Sequence, residues 1–408
     1  MMKTPTNGPL AGLRVLDMTR VIAGPLAGQY LADYGADVIK VEKRGEGDEA
    51  RKVGPPWLKD GQGQDTKDST YFQTANRGKR AIDIDFAKPE GAQLVRDLAL
   101  QSDIFLENYR PGTLAKYGLG YADLSKLNER LIYCSVTGFG QDGPYASRSG
   151  YDYLVQGMSG VMALTGTPEG GPTRVGIPIA DISTGLHAVI GILAALNKRH
   201  ATGKGQWLDI GLFDCQFGMM LNPVAAWFNS GVALKSSGNS HPSACPHAAF
   251  QVADGQIIIA IFSDAEFGRL CQVLGHPEWA RDERFASNGL RVQHRQLLEK
   301  CITEVLLTDT RSNWVDRFNA AKVCAGPINQ VSDLDGNPQV LARRMIVEQP
   351  HPVAGSVKSI ANPVKFSDGE LTYALPAPAQ GQHTNEVLRE MLGLAPEAIE
   401  LLRLKQVI

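Results

Sequence analysis

Leu13 to Glu42 reads L-R-V-L-D-M-T-R-V-I-A-G-P-L-A-G-Q-Y-L-A-D-Y-G-A-D-V-I-K-V-E. Leu13 to Thr19 has the apolar run of a strand, Gly24 and Pro25 open a helical pattern through about Tyr34, and Asp37 to Glu42 is a second strand. Strand, helix and strand in so short a span form a βαβ unit, which calls for a crossover and a parallel sheet. The turn carries A-G-P-L-A-G instead of G-x-G-x-x-G, so the dinucleotide fingerprint is absent and NAD is not expected. A helix start at that place can hold a phosphate or another anion, or it is only a sheet-building crossover.

The same alternation continues outward. Ala81 to Phe86, Asp103 to Glu107, Leu131 to Val136 and Trp207 to Leu212 read as strands, with helices over Pro89 to Leu100 and Ala122 to Arg130. The fold class this predicts is α/β, a doubly wound layer. Lys43 to Ser69, rich in Gly, Asp and Lys, reads as a long surface excursion. Asn76, Arg77, Lys79 and Arg80, just before a buried strand, form either a phosphate clamp or a solvated loop edge. Asn108-Tyr109-Arg110-Pro111-Gly112 lies at a strand's carboxyl end, where open α/β sheets bind ligands.

Gly176 to Leu196 reads G-I-P-I-A-D-I-S-T-G-L-H-A-V-I-G-I-L-A-A-L, one acid at the mouth of a long apolar helix. Free N–H groups and the helix dipole there favour an ionised Asp181, which prepares a carboxylate nucleophile and equally describes an ordinary cap. Asp152, after Gly150 and Tyr151, has the same two readings.

With 408 residues the chain exceeds one typical domain. A 43% apolar and 21% charged composition is that of a globular protein, and a net charge of −2 gives no electrostatic case for nucleic acid or an anionic membrane. No run of eighteen apolar residues occurs, so no membrane-spanning helix is expected, and Met1 to Leu10 has no signal-peptide core. Six scattered cysteines without a CxxC pair read as reduced thiols of a cytoplasmic protein. Eight scattered histidines without an H-x-x-x-H pattern make a metal site an unexpected feature. Composition turns small and polar after Gly231, and Asp254-Gly255 between alternating runs marks a hairpin in a smaller second domain.

Several segments together resemble the class III CoA-transferases, which share their fold with the α-methylacyl-CoA racemases. They are L-A-G-L-R-V-L-D-M-T-R-V-I-A-G-P (Leu10 to Pro25), G-A-D-V-I-K-V-E (Gly35 to Glu42), A-N-R-G-K-R (Ala75 to Arg80) and E-N-Y-R-P-G (Glu107 to Gly112). T-G-F-G-Q-D-G-P (Thr137 to Pro144), G-Y-D (Gly150 to Asp152), I-A-D-I-S-T-G (Ile179 to Gly185) and T-G-K-G-Q (Thr202 to Gln206) follow in the same order. The resemblance implies a large Rossmann-like domain from 1–230 and the returning segment 331–408, a small α/β domain over 231–330, and an interlocked homodimer. It implies CoA and acyl-CoA as substrates, with no metal.

The resemblance also implies a mechanism in which one aspartate, here Asp181, attacks an acyl-CoA and passes CoA through an aspartyl-CoA thioester. CoA contacts carried over fall on Ile22, Ala23, Lys43, Ala75, Asn76, Arg77, Gly78, Asn108, Tyr109, Arg110, Lys116, Ser149, Gly150, Tyr151 and Asp152. Lys43 and Lys116 stand where formyl-CoA transferase has arginine, and Ile22 where it has a glutamine near the acyl group. The loop that covers the intermediate there corresponds to Gly238, Asn239, Ser240 and His241. Racemases of this fold carry a histidine before the G-x-D aspartate; here that position is Tyr151, a poor base at neutral pH. A racemase and a non-catalytic CoA-binding protein are the alternative readings. The wording around Gly150 to Gly185 is similar to relatives that use succinyl-CoA and short dicarboxylic acids, with Arg174 a candidate partner for a distal carboxylate.

Overall fold

Val15 and Leu16 point to opposite sides of one strand, and both are fully buried. A sheet covered on both faces needs apolar side chains at successive positions rather than alternate ones, and the neighbouring strands repeat the pattern. The computed structural model describes residues 8–408; Met1–Asn7, part of the stretch searched for a signal-peptide core, lie outside the described residues.

The strands are β1 (Arg14–Asp17), β2 (Asp37–Glu42), β3 (Trp57–Lys59), β4 (Asp65–Ser69), β5 (Lys79–Asp83), β6 (Ile104–Glu107), β7 (Ile132–Thr137) and β8 (Trp207–Gly211). Six of them form one sheet in the order β5-β2-β1-β6-β7-β8, every pair parallel. On one face Val15, Val38, Ile104, Leu106 and Ile132 pack with α1 (Ala23–Asp33) and the helix Ile179–Thr202. On the other, Leu16, Ile39, Ile82 and Phe105 pack with the helix Pro89–Leu100 and the penultimate helix of the chain, Thr384–Leu392, through Leu98, Leu388 and Met391. Each such side chain taken out of water contributes about 1.5–3 kcal/mol. Strand order reverses between β1 and β6. Their carboxyl ends therefore diverge into the crevice where ligands of open α/β sheets bind.

The segment 43–69, expected as a loop, instead holds a short 3-10 turn (Glu49–Lys52) and the antiparallel pair β3–β4. Its strand residues are mostly half-exposed or exposed and charged, so no apolar alternation announces them.

This sheet and its helices form a first unit made of the described residues up to Gly160, Val175–Leu221 and Gln339–Ile408. The second comprises Val161–Arg174 and Asn222–Pro338. It starts before and ends after the expected 231–330 and also takes in 161–174. Within it, Gly238 N–H donates to Gly166 O at 2.9 Å, tying those two pieces together. Its core is an antiparallel sheet of β9 (His247–Val252), β10 (Gly255–Ala260) and β11 (Ala325–Pro327). Phe250 pairs with Ile257, and Phe267, Leu298, Trp314 and Phe318 cover the inner face. Val252 pairs with Gly255, so the hairpin loop is Ala253-Asp254, one residue before the expected Asp254-Gly255.

The expectation about membrane helices needs a correction. Ile179–Thr202 is long and apolar enough to cross a membrane by length and composition, because glycine, alanine and serine interrupt the apolar run without lowering its mean hydropathy much. Half of its apolar stretch is buried inside the first unit, with Ala188, Ile192 and Leu196 in the sheet's core. A core helix meets the same length test.

Candidate active site

Asp181 is the third residue of its helix; the residue at the cap position is Pro178, whose side chain caps nothing. That corrects the reading of Asp181 as a cap. The cap function comes instead from Asp152, whose Oδ1 accepts the backbone N–H groups of Ala180 at 2.8 Å and Asp181 at 3.3 Å. The other oxygen of Asp152 accepts from Gln156 Nε2 at 2.7 Å, and the buried Gln156 in turn accepts Val175 N–H at 2.9 Å. One carboxylate is thus consumed as an anchor. Close approach makes this possible: a Cβ on Gly138 would lie 2.6 Å from Gly150 Cα, so only glycines let the loop before Asp152 sit so near the end of β7.

No protein group donates a hydrogen bond to the Asp181 carboxylate among the described residues. Burial, and then the Asp152 charge, push its pKa up to about 7. The expectation that the helix start alone keeps it ionised is therefore corrected. Burial and a like charge favour the neutral form, the first N–H of the helix, that of Ile179, goes to Ile177 O, and those of Ala180 and Asp181 are spent on Asp152. The same pair of charges acts on Tyr71, whose hydroxyl is raised by burial first, then by Asp181 and Asp152. Tyr71 was missed at the sequence level, and no motif marks it.

Beside this helix lies the turn between β1 and α1. A Cβ on Gly185 would come 2.8 Å from Ala23 O, so the two helices touch near their starts. Val21 has φ 70°, a left-handed backbone that costs a β-branched residue on the order of 1–3 kcal/mol. Its N–H donates to Asp48 Oδ1 at 3.0 Å. Arg20 N–H donates to Asn108 Oδ1 at 2.9 Å, and Asn108 Nδ2 donates back to Arg20 O at 2.7 Å, across the point where β1 and β6 diverge. Thr19 O accepts from Lys40 Nζ at 2.8 Å, and Lys40 also bonds Asp48 Oδ2 at 2.8 Å. Lys40 and Asp48 side chains are completely buried. Burial opposes the charge on each, yet Asp48 holds the Lys40 ammonium above its ordinary range and Lys40 holds the Asp48 carboxyl below its own.

The phosphate-clamp reading of residues 76–80 is corrected by burial. Arg77 forms a two-bond pair with Asp33, Nε to Oδ1 at 2.9 Å and Nη2 to Oδ2 at 2.7 Å, and reaches Ile360 O at 2.7 Å. Lys79 Nζ bonds Asp17 at 2.8 Å, Pro25 O and Asn76 Oδ1, and burial pulls its ammonium down to about 8. Arg80 pairs with Asp37 at 2.6 Å and with Glu390 of the helix Thr384–Leu392. All three cations hold the fold together, and Ala75 and Asn76 are buried with them. Gly78 has φ 77°, and its N–H donates to Leu375 O.

The other carried-over positions divide. Arg110 reaches Ser149 at 2.7 Å, joining two of them, and the Arg20 guanidinium lies 4.4 Å over the Tyr109 ring. Ile22 and Ala23 are buried at the start of α1, where Ile22 provides no side-chain cap. Lys43 and Lys116 are exposed, Lys43 pairing with Glu46. Tyr151 is 68% exposed and precedes the helix Asp152–Met158. Gly238, Asn239, Ser240, His241 and Arg174 lie in the second unit, where the His241 ring sits 5.0 Å from His247 and 5.8 Å from Phe262. No group of three or more metal-ligating side chains occurs among the described residues.

A carboxylate without hydrogen-bond donors, half-buried beside a braced helix start, suits acyl transfer through a covalent aspartyl intermediate. Residues 10–384 match the family described as CoA-transferase family III. The chain is a family III CoA-transferase. Over 94% of its length this transferase is 42% identical to the succinate–glutarate CoA-transferase of Agrobacterium fabrum, covering 96% of that protein. It is 38% identical to the succinyl-CoA:glutarate CoA-transferase of Mus musculus, over 97% of this chain and 89% of that one. The crystal structure of a CAIB/BAIF family protein from Brucella suis superposes with a TM-score of 0.85 at 43% identity, covering 94% of the transferase and all of that chain.

Proposed function

We propose that the transferase moves CoA between succinyl-CoA and a small dicarboxylic acid such as glutarate, itaconate or malate, with Asp181 as the nucleophile. The Asp181 carboxylate attacks the thioester carbonyl, giving a mixed anhydride and CoA thiolate. The thiolate attacks the Asp181 carbonyl, giving the aspartyl-CoA thioester and free succinate. The incoming carboxylate attacks that thioester, and the returned thiolate collects the new acyl group and restores Asp181. Splitting the exchange this way replaces one difficult step by easier ones.

The observation that carries this reading is the difference between two neighbouring carboxylates. Asp152 accepts three hydrogen bonds, whereas no described residue donates one to the Asp181 carboxylate, whose pKa burial pushes up to about 7. The names of the two relatives support the donor and the dicarboxylate class. Ile22, Ala23, Asn108 and Arg110 of the first unit supply CoA contacts in this reading. The active form is the interlocked homodimer implied by the family. Support comes from Leu186, Ile190 and Leu193, an apolar stripe left exposed on the helix that bears Asp181.

A panel of free acids tested with succinyl-CoA decides the specificity. Turnover with short dicarboxylates is expected, and turnover only with a monocarboxylate or oxalate overturns it. Trapping with hydroxylamine or borohydride, followed by peptide mass analysis, is expected to place the modification on Asp181. A modification elsewhere, or exchange that survives Asp181→Ala, removes the mechanism.

A further inference from the structure

We infer that Asp48 and Lys40 are positioning residues that hold the Thr19–Ala23 turn in the one shape able to receive an acyl-CoA beside Asp181. The inference rests on the proposed role of Asp181, and its own observations concern the turn. Val21 is a β-branched residue in the left-handed region, φ 70°, a conformation that persists only where surroundings impose it. The imposing groups come from three places: strand β2, the 3-10 turn after it and the loop that leaves β6. Asp48 Oδ1 takes the Val21 N–H, Lys40 Nζ takes Thr19 O, and the Asn108 amide grips both backbone groups of Arg20.

Asp48 is itself over-determined. It accepts from Ala50 N–H at 2.9 Å and from Lys40 at 2.8 Å, while its own N–H donates to Glu42 Oε2 at 2.9 Å. Glu42 is in turn clamped by Arg51, at 2.7 and 2.6 Å. A fully buried ion pair is a weak source of net stability, because desolvation offsets its attraction. Fixing a strained backbone gives this pair a purpose that stability does not. The turn also has no slack toward the nucleophile's helix: Ala23 O would lie 2.8 Å from a Cβ at Gly185, one turn after Asp181. A relaxed Val21 would therefore displace Ile22 and Ala23 relative to Asp181.

The test compares Asp48→Asn, Val21→Gly and the double variant. Asparagine keeps an acceptor for Val21 but removes the charge that opposes Lys40. Glycine adopts a positive φ without side-chain strain and so needs less clamping. Asp48→Asn is expected to raise KM for succinyl-CoA about tenfold and to weaken desulfo-CoA binding by a like factor, with the circular dichroism spectrum unchanged. Adding Val21→Gly is expected to restore at least threefold of that loss. Rescue of melting temperature without rescue of KM or binding would assign the pair a purely structural role and overturn the inference. So would a kcat/KM within twofold of wild type for Asp48→Asn. The desulfo-CoA arm needs no chemistry at Asp181, so failure of the nucleophile reading and failure of the positioning reading are told apart. Should Asp48→Asn not fold, the Lys40→Met/Asp48→Asn pair, which leaves no lone buried cation, replaces it in the same comparison.

Discussion

Asp152 Oδ1 holds the backbone N–H of Asp181 at 3.3 Å and that of the preceding Ala180 at 2.8 Å, so one aspartate fixes the chain position of the other while its charge opposes the other's ionisation. The two effects are separable by substitution. Asp152→Asn keeps an acceptor and removes the charge, so the Asp181 pKa falls below about 7 and the acid limb of the pH–rate profile moves to lower pH. Asp152→Ala removes both; loss of the anchor destabilises the protein by about 1–2 kcal/mol and lowers kcat/KM roughly 10–100-fold. Thermal melts beside pH–rate profiles for the two variants check this, and an unmoved acid limb in Asp152→Asn contradicts the electrostatic part.

The pH dependence of the parent enzyme follows from the same group. In the proposed mechanism the nucleophile is the ionised form of Asp181, so kcat/KM is expected to rise with pH through about 7 and level off above it. Glu107 is pushed up to about 7 by its own burial, so the Asp152→Asn shift identifies which carboxyl the limb reports.

Stability runs the other way. A carboxyl whose folded pKa lies above its unfolded value of 3.8 stabilises the fold fully below that value, and the contribution is lost as pH rises through about 7. Asp181→Asn carries no charge to desolvate. It is expected to be more stable than the parent at pH 8 by on the order of 2 kcal/mol, with the advantage gone at pH 4, and to lose exchange activity by ~1,000-fold or more. Urea melts at the two pH values read the difference.

Arg77 separates a fold role from a ligand role. Arg77→Met leaves Asp33 buried and unpaired and frees the carbonyl of Ile360, so a loss of about 3–5 kcal/mol is expected. Where the variant still folds, affinity for CoA should stay within about threefold. A stable variant with CoA binding reduced a hundredfold would restore the phosphate-clamp reading.

The exposed stripe on the helix Ile179–Thr202 makes the oligomeric state testable. Ile190, 61% exposed, lies on the face opposite the sheet. Ile190→Glu is expected to convert the proposed dimer to monomers or to insoluble protein, measured by native mass spectrometry and light scattering beside the parent; an unchanged dimer excludes this face.

Which parts were legible in the sequence follows from the range of the forces involved. The central strands declared themselves because both faces of the sheet are covered, and Val15, Leu16, Val38 and Ile39 leave no polar position between them. Helix Pro89–Leu100 was legible to the residue because Pro89 fixes its first turn and its apolar positions repeat at helical spacing. β3 and β4 were not, since they are short, charged and half-exposed. Of the candidate site, the loops E-N-Y-R-P-G and G-Y-D were readable as motifs. Its wiring was not. Nothing in a linear pattern says that Asp152 caps a helix 28 positions away or that Lys40 and Asp48 meet under Val21. For the same reason three adjacent cations looked like a clamp, when their partners Asp33, Asp17 and Asp37 lie on elements made earlier in the chain.

The first unit is begun by the N-terminal residues and finished by the last seventy, with Leu388 and Met391 closing over Leu16, Ile39 and Phe105. During synthesis that apolar face, already partly covered by Pro89–Leu100, lacks the rest of its cover until the ribosome has made residues 222–408, on the order of 10–40 s at usual elongation rates. The second unit has its own core and is encoded in between, so it can be complete first. The order of maturation is thus inverted relative to the order of the sequence. An early stop in translation that removes the final helices leaves a nascent chain in which Leu98 and its neighbours on that face lack Leu388 and Met391, a natural substrate for chaperones and proteases.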